Sequence, residues 1–116
     1  MATMNCLFCK IIHNQIPVHR VFEDENFLAF HDISPQAPCH VLVIPKKHIQ
    51  SINEITAADD LLLGQLLLTA KHIAATEGLK ENGYRLVFNT NTHGGQTVDH
   101  IHLHILGGRQ MMWPPG

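Results

Sequence analysis

Asp99-His100-Ile101-His102-Leu103-His104-Ile105 is the stretch on which the reading of this chain turns. Polar and apolar residues alternate without a break, the pattern of a β-strand with one face toward a core. Ile101, Leu103 and Ile105 point one way; His100, His102 and His104 point the other. At a rise of about 3.3 Å per residue, neighbours on the histidine face stand roughly 6.6 Å apart and the outer pair about 13 Å apart. Imidazoles titrate near neutral pH, which suits a row of them to phosphoryl or metal chemistry. Ten histidines in 116 residues is itself unusual. Chance placement at that frequency yields roughly 0.07 such triplets.

Three readings compete for this strand. The first is a partly exposed face without chemistry. The second is a metal site: histidines at i and i+2 converge on one ion, but all three do so with difficulty. No carboxylate other than Asp99 stands nearby to complete a hard-metal shell. The third is nucleophilic catalysis at phosphorus, in which a neutral imidazole forms a covalent intermediate and splits one displacement into two. His102, flanked on both sides, is the natural nucleophile, provided its second ring nitrogen donates to a fixed acceptor. His100, His104 and His40 then donate to non-bridging oxygens as charge develops.

The flanking segments supply context. Asn91 to Gln96 is a polar loop whose Gly94-Gly95 pair lets backbone N–H groups approach an anion. The Thr97 hydroxyl follows, available to the same oxygens or to a leaving group. Upstream, Val18–Glu23, Phe27–His31, Cys39–Pro45 and Tyr84–Asn89 read as strands. Thr56-Ala57-Ala58-Asp59 fits a helix start and Gly78 its stop. Between them Leu62, Leu63, Leu66, Leu67, Ala70, Ile73 and Ala74 recur at core-facing spacing, while Leu61, Leu63 and Leu68 widen the stripe toward a second subunit. Cys6 to Asn14 is one or two helical turns. The order α-β-β-β-α-β-β, with short turns, predicts an α+β fold with helices packed on one face of an antiparallel sheet. Residues 1–5 read as a loose tail, and 107–116 as a C-terminal tail in a single domain spanning 1–116. Asp32, at a strand end before a proline-stiffened loop, is either a turn residue or an acceptor for a ligand's hydroxyls; spacing alone favours the turn. Cys6-Leu7-Phe8-Cys9 is either a pair of reduced thiols or half of a zinc site.

Composition narrows the field. Eight Lys+Arg against ten Asp+Glu, with no polybasic run, offer no footprint for nucleic acid. The apolar tract from Leu61 to Leu68 is too short to span a bilayer. Three cysteines form no disulfide framework, which predicts a reduced, cytoplasmic protein.

His100-x-His102-x-His104-Ile-Leu-Gly-Gly resembles the histidine triad (HIT) motif. The blocks 30–38, 40–49, 94–98 and 106–116 resemble the Hint branch, the histidine triad nucleotide-binding proteins. The resemblance implies a HIT-like fold of about five antiparallel strands and two helices, with the sheet continued across a homodimer. It implies hydrolysis of purine nucleoside phosphoramidates to AMP and an amine through a nucleotidyl-histidine, with no cofactor required for catalysis. The alternatives are a nucleotide-binding adaptor with incidental turnover and a zinc-binding module. By motif position His102 attacks, and His100, His104, His40 and Thr97 complete the catalytic group. Asp32 takes the ribose hydroxyls. Phe8, Ile11, Phe30, His31, Ile33 and Leu42 line the nucleoside cleft. Asn89, Gly95, Gln96 and Thr97 hold the phosphate and leaving amine, and Trp113 sits near the partner's site. Position 97 is Thr where Hint proteins often have Ser. The Cys6/Cys9 pair resembles bacterial relatives, some of which bind structural zinc; the matching ligands are Cys6, Cys9, His48 and His100.

Overall fold

The apolar runs in the second and third strands are too continuous for a sheet that faces water on one side. A computed structural model describes residues 5–116; residues 1–4 of the expected N-terminal tail lie outside the described residues. The strands are β1 (Arg20–Glu23), β2 (Phe27–His31), β3 (Cys39–Pro45), β4 (Tyr84–Val87) and β5 (Leu103–Gly107). They form one antiparallel sheet in the order β1-β2-β3-β5-β4. Its helices are α1 (Leu7–Ile12), α2 (Asp60–Thr76) and a single turn, α3 (Asn91–Gly94), within the loop expected to be irregular.

The helices cover both faces, not one. Leu66, Ala70, Ile73 and Ala74 of α2 pack on Phe27, Ala29, Val41, Val43, Leu103 and Ile105. Cys6, Phe8, Cys9 and Ile11 from α1 and its N-cap pack on Leu28, Phe30, Leu42 and Ile44, the alternate residues of the same strands. That second cover is why β2 and β3 are apolar on both sides. It also accounts for His100 and His102, which are buried against Phe8 of α1.

Local signals account for the element ends. The Asp24 carboxylate accepts from the Asn26 and Phe27 N–H groups and closes the first hairpin. Thr56 and Asp59 make the expected capping box, opening a 3-10 turn that runs into α2. Lys47 pairs with the buried Asp59 carboxylate at 2.6 Å. On α2, Leu67 is exposed with Leu61 and Leu68, so it leaves the core stripe predicted for it.

The ladder of β5 begins only at Leu103, three residues later than the alternation suggests. His100 and His102 precede it, and the Ile101 N–H donates instead to the Ile49 carbonyl at 2.7 Å. Tertiary packing overrides the local pattern here. At the other end, a Cβ on Gly107 would sit 2.7 Å from both methyls of buried Leu79, and one on Gly108 would sit 2.9 Å from the Pro38 ring. Gly108 also has φ +91°. Gly108→Ala is expected to cost about 1–3 kcal/mol through left-handed strain and overpacking, read as a fall in melting temperature.

Candidate active site

A neutral imidazole has one N–H and one lone pair, so each hydrogen bond it makes constrains the next. His40 on β3 and His104 on β5 share the α1 face, with His104 paired to Leu42 and His40 to Leu106. The Gln36 backbone N–H donates to His40 Nδ1 at 3.0 Å. His40 therefore carries its hydrogen on Nε2, which lies 2.9 Å from His104 Nδ1. His104 accepts there and carries its own hydrogen on Nε2. That Nε2 is buried and has no hydrogen-bond partner among the described residues. A buried unsatisfied donor costs about 1–3 kcal/mol, and it stands ready for an acceptor on a ligand.

His102 is set by a separate bond. Its Nδ1–H donates to the His100 carbonyl at 2.7 Å, which leaves the lone pair on Nε2. Its ring lies 4.9 Å from the His104 ring and 5.0 Å, edge-on, from Phe8. A nitrogen with a free lone pair and a hydrogen-bond donor thus stand on adjacent imidazoles. Burial pushes all these groups toward the neutral form. His104 falls to about 4, with the His102 and His40 charges adding to burial. Burial lowers His40 against the opposing pull of Asp32, and lowers His102 against the bond to the His100 carbonyl.

His100 is turned elsewhere. It is fully buried, and its Nε2–H donates to the Pro45 carbonyl at 2.8 Å. The Nδ1 lone pair then faces Cys6 Sγ at 3.3 Å, Cys9 Sγ at 3.6 Å and His48 Nδ1 at 3.1 Å. Cys9 Sγ lies 3.4 Å from His48 Nδ1. A tetrahedral zinc with two sulfur and two nitrogen ligands sets S···N near 3.5 Å and N···N near 3.3 Å, by about the usual bond lengths. The donor set and the spacing both fit that ion. Asp32, His40 and His104 also lie within metal-like spacing. There the fit fails, because the nitrogen His40 would offer already carries a hydrogen.

The remaining expected site residues divide. Asp32 makes the turn, Oδ1 accepting from the Ser34 N–H at 2.8 Å, while Oδ2 stands 3.5 Å from His40 Nε2. Phe8, Ile11, Phe30 and Leu42 are buried in the core between α1 and the sheet, Phe8 edge-on to Phe30, His100 and His102. His31 is half-buried against His19, and Ile33 is 94% exposed. Asn89 is half-buried just beyond β4. The loop after it departs from the anion-cradle expectation. The Gly95 and Gln96 N–H groups donate to the Thr92 and Asn91 carbonyls at 3.1 Å, closing the turn on itself. The Gln96 amide spans Asn91 N–H and the Gln50 and Val98 carbonyls, so that side chain braces the loop. Thr97 is exposed and lines a groove of about 440 Å³ with Cys6, Leu7, His48 and Asp99. Trp113 is 81% exposed. The backbone groups of Gln36 and Pro45, which set two of the tautomers, carry no residue-type signal and are invisible to sequence reasoning.

A family model described as the HIT domain matches residues 13–111. A purine nucleoside phosphoramidase of Escherichia coli is 50% identical over 105 residues, covering 90% of this chain and 88% of that protein. An uncharacterized HIT-like protein of Synechococcus elongatus is 58% identical over 110 residues, covering 95% and 96%. The crystal structure of a HIT family hydrolase from Legionella pneumophila superposes with a TM-score of 0.95 at 63% identity, covering 97% of this chain and all of that one.

The depressed His104 pKa carries a pH signature. Its ordinary value is 6.5 and its folded value about 4, so the unfolded chain takes up the proton first. Its contribution to stability is complete above about pH 6.5 and is lost as pH falls toward about 4. Melting temperatures measured from pH 7.5 to pH 4 should fall, and should fall less steeply in His104→Asn.

Proposed function

This chain belongs to the HIT domain family, and on that footing we propose that it is a purine nucleoside phosphoramidase, cleaving the P–N bond of adenosine or guanosine 5'-monophosphoramidates. The observation that carries the reading is the pairing of the His102 Nε2 lone pair with the orphan Nε2–H of His104. In the first step the His102 Nε2 attacks the α-phosphorus and the P–N bond breaks. The amine leaves after gaining a proton from the Thr97 hydroxyl or from water. The nucleotidyl-imidazolium that forms still donates its Nδ1–H to the His100 carbonyl, whose dipole opposes the new positive charge. His104 Nε2–H donates to a non-bridging oxygen, and His40 keeps that hydrogen in place from behind. Water then attacks phosphorus and gives up a proton to the group that protonated the amine, the P–Nε2 bond breaks, and AMP or GMP departs with neutral His102 restored.

Asp32 Oδ2, the oxygen not spent on the turn, accepts from the ribose hydroxyls. Phe8, Ile11, Phe30, His31, Ile33 and Leu42 contact the nucleoside, and Asn89 and the 95–97 turn border the phosphate and amine. Cys6, Cys9, His48 and His100 would hold a structural zinc, which would supply a cross-link between the start of α1, the loop after β3 and the approach to β5. The chemistry on phosphorus belongs to the histidines. A homodimer is supported by the free edge of β4 with exposed Leu86, and by exposed Leu61, Leu67 and Leu68 on α2. Trp113 then reaches toward the partner's site. We place the protein in the cytoplasm on its three cysteines, none of them in a disulfide. No helix among the described residues is long and apolar enough to cross a membrane.

His102→Ala should lower turnover of an adenosine phosphoramidate by about a thousandfold or more while AMP binding stays within a few-fold. His102→Asn serves as the check on packing. Turnover near wild type in both variants would sink the assignment.

A further inference from the structure

The nucleophile sits just outside the sheet. β5 begins at Leu103, so no ladder bond fixes the peptide that carries the His100 carbonyl. Its own N–H, that of Ile101, donates to the carbonyl of Ile49, the residue after His48, and the His100 side chain beside it is anchored at Nε2 by the Pro45 carbonyl and at Nδ1 by the thiol–imidazole cluster. The His100 carbonyl selects which nitrogen of His102 bears the hydrogen. The cluster also reaches His102 by a second route. Phe8 lies between Cys6 and Cys9 on one helical turn, and its ring meets His100 at 5.9 Å and His102 at 5.0 Å.

We propose that the Cys6–Cys9–His48–His100 cluster, closed by zinc, is a positioning device for the nucleophile: it holds the His100 carbonyl and the Phe8 ring where His102 is locked as its Nδ1–H tautomer. Cys6, Cys9 and His48 are then positioning residues for the reaction, acting through His100, although none of them touches the reacting atoms. The inference rests on His102 as nucleophile, but its central observable does not. Two tautomers of an unrestrained imidazole are close in energy, so loosening His100 allows the Nε2–H form, which presents no lone pair to phosphorus. Groups that orient a functional imidazole from behind typically carry effects of about tenfold to a hundredfold.

The test follows the His102 ring nitrogens by NMR on the full chain labelled with 15N-histidine. Three samples are compared: zinc-loaded protein, protein stripped with a chelator, and Cys6→Ser/Cys9→Ser. Loaded protein should show a single Nδ1–H tautomer for His102. The other two should show a mixture of tautomers, with kcat down about tenfold or more and AMP affinity within about threefold. Returning zinc should restore the single tautomer in the stripped protein and not in the double variant. His48→Gln replaces the double variant if the latter does not fold. A zinc-free protein that keeps one His102 tautomer and its kcat overturns the proposal, as does a wild-type protein that binds no zinc. Failure of the nucleophile assignment is read separately, from turnover in His102→Ala.

Discussion

An imidazole that donates through one nitrogen presents a lone pair at the other, and this molecule applies that rule at four positions. The Gln36 N–H orients His40, His40 orients His104, the His100 carbonyl orients His102, and the Pro45 carbonyl orients His100. Each chain of bonds starts from a main-chain group. The sheet and loops therefore set the protonation pattern of the site before any substrate arrives. Burial reinforces the pattern, because taking a positive charge out of water disfavours the imidazolium that would scramble it.

The same rule divides the histidine strand into two sites. His102 and His104 present a lone pair and a hydrogen to one space, a combination suited to attacking one atom while holding its neighbour. His100 presents its lone pair to two thiols and His48 in another. Two clusters among the described residues had metal-like spacing, and the donor set together with the direction of hydrogen bonds separates the one that suits an ion from the one that does not.

Much of this was legible in the residues. Alternation marked the strands, the Thr56–Asp59 box marked the start of α2, and the triad with its glycines pointed to the family. Cys6, Cys9, His48 and His100, scattered over 95 positions from Cys6 to His100, do meet in space as the resemblance implied. Other features were not legible. Strict alternation through His100–Ile105 predicts a ladder from His100, yet the ladder starts only at Leu103, because the approach is held by tertiary bonds to Pro45 and Ile49. A helix on each face was hidden because α1 is short and its apolar residues are few. The closed turn at Gly95 and Gln96 was hidden for another reason: a Gly-Gly pair permits an open cradle and a closed turn equally.

Helix α1 has six residues, far below the length at which a helix persists alone in water. It exists because Phe8, Cys9 and Ile11 are docked on the sheet, and because Arg20 ties its last turn through the Ile11 carbonyl and Asn14. Helical order in this segment and order in the site beneath it are therefore one cooperative event. Amide protons of α1 exchange with solvent when that unit opens locally, so their protection reports the integrity of a site most of whose residues lie elsewhere in the chain.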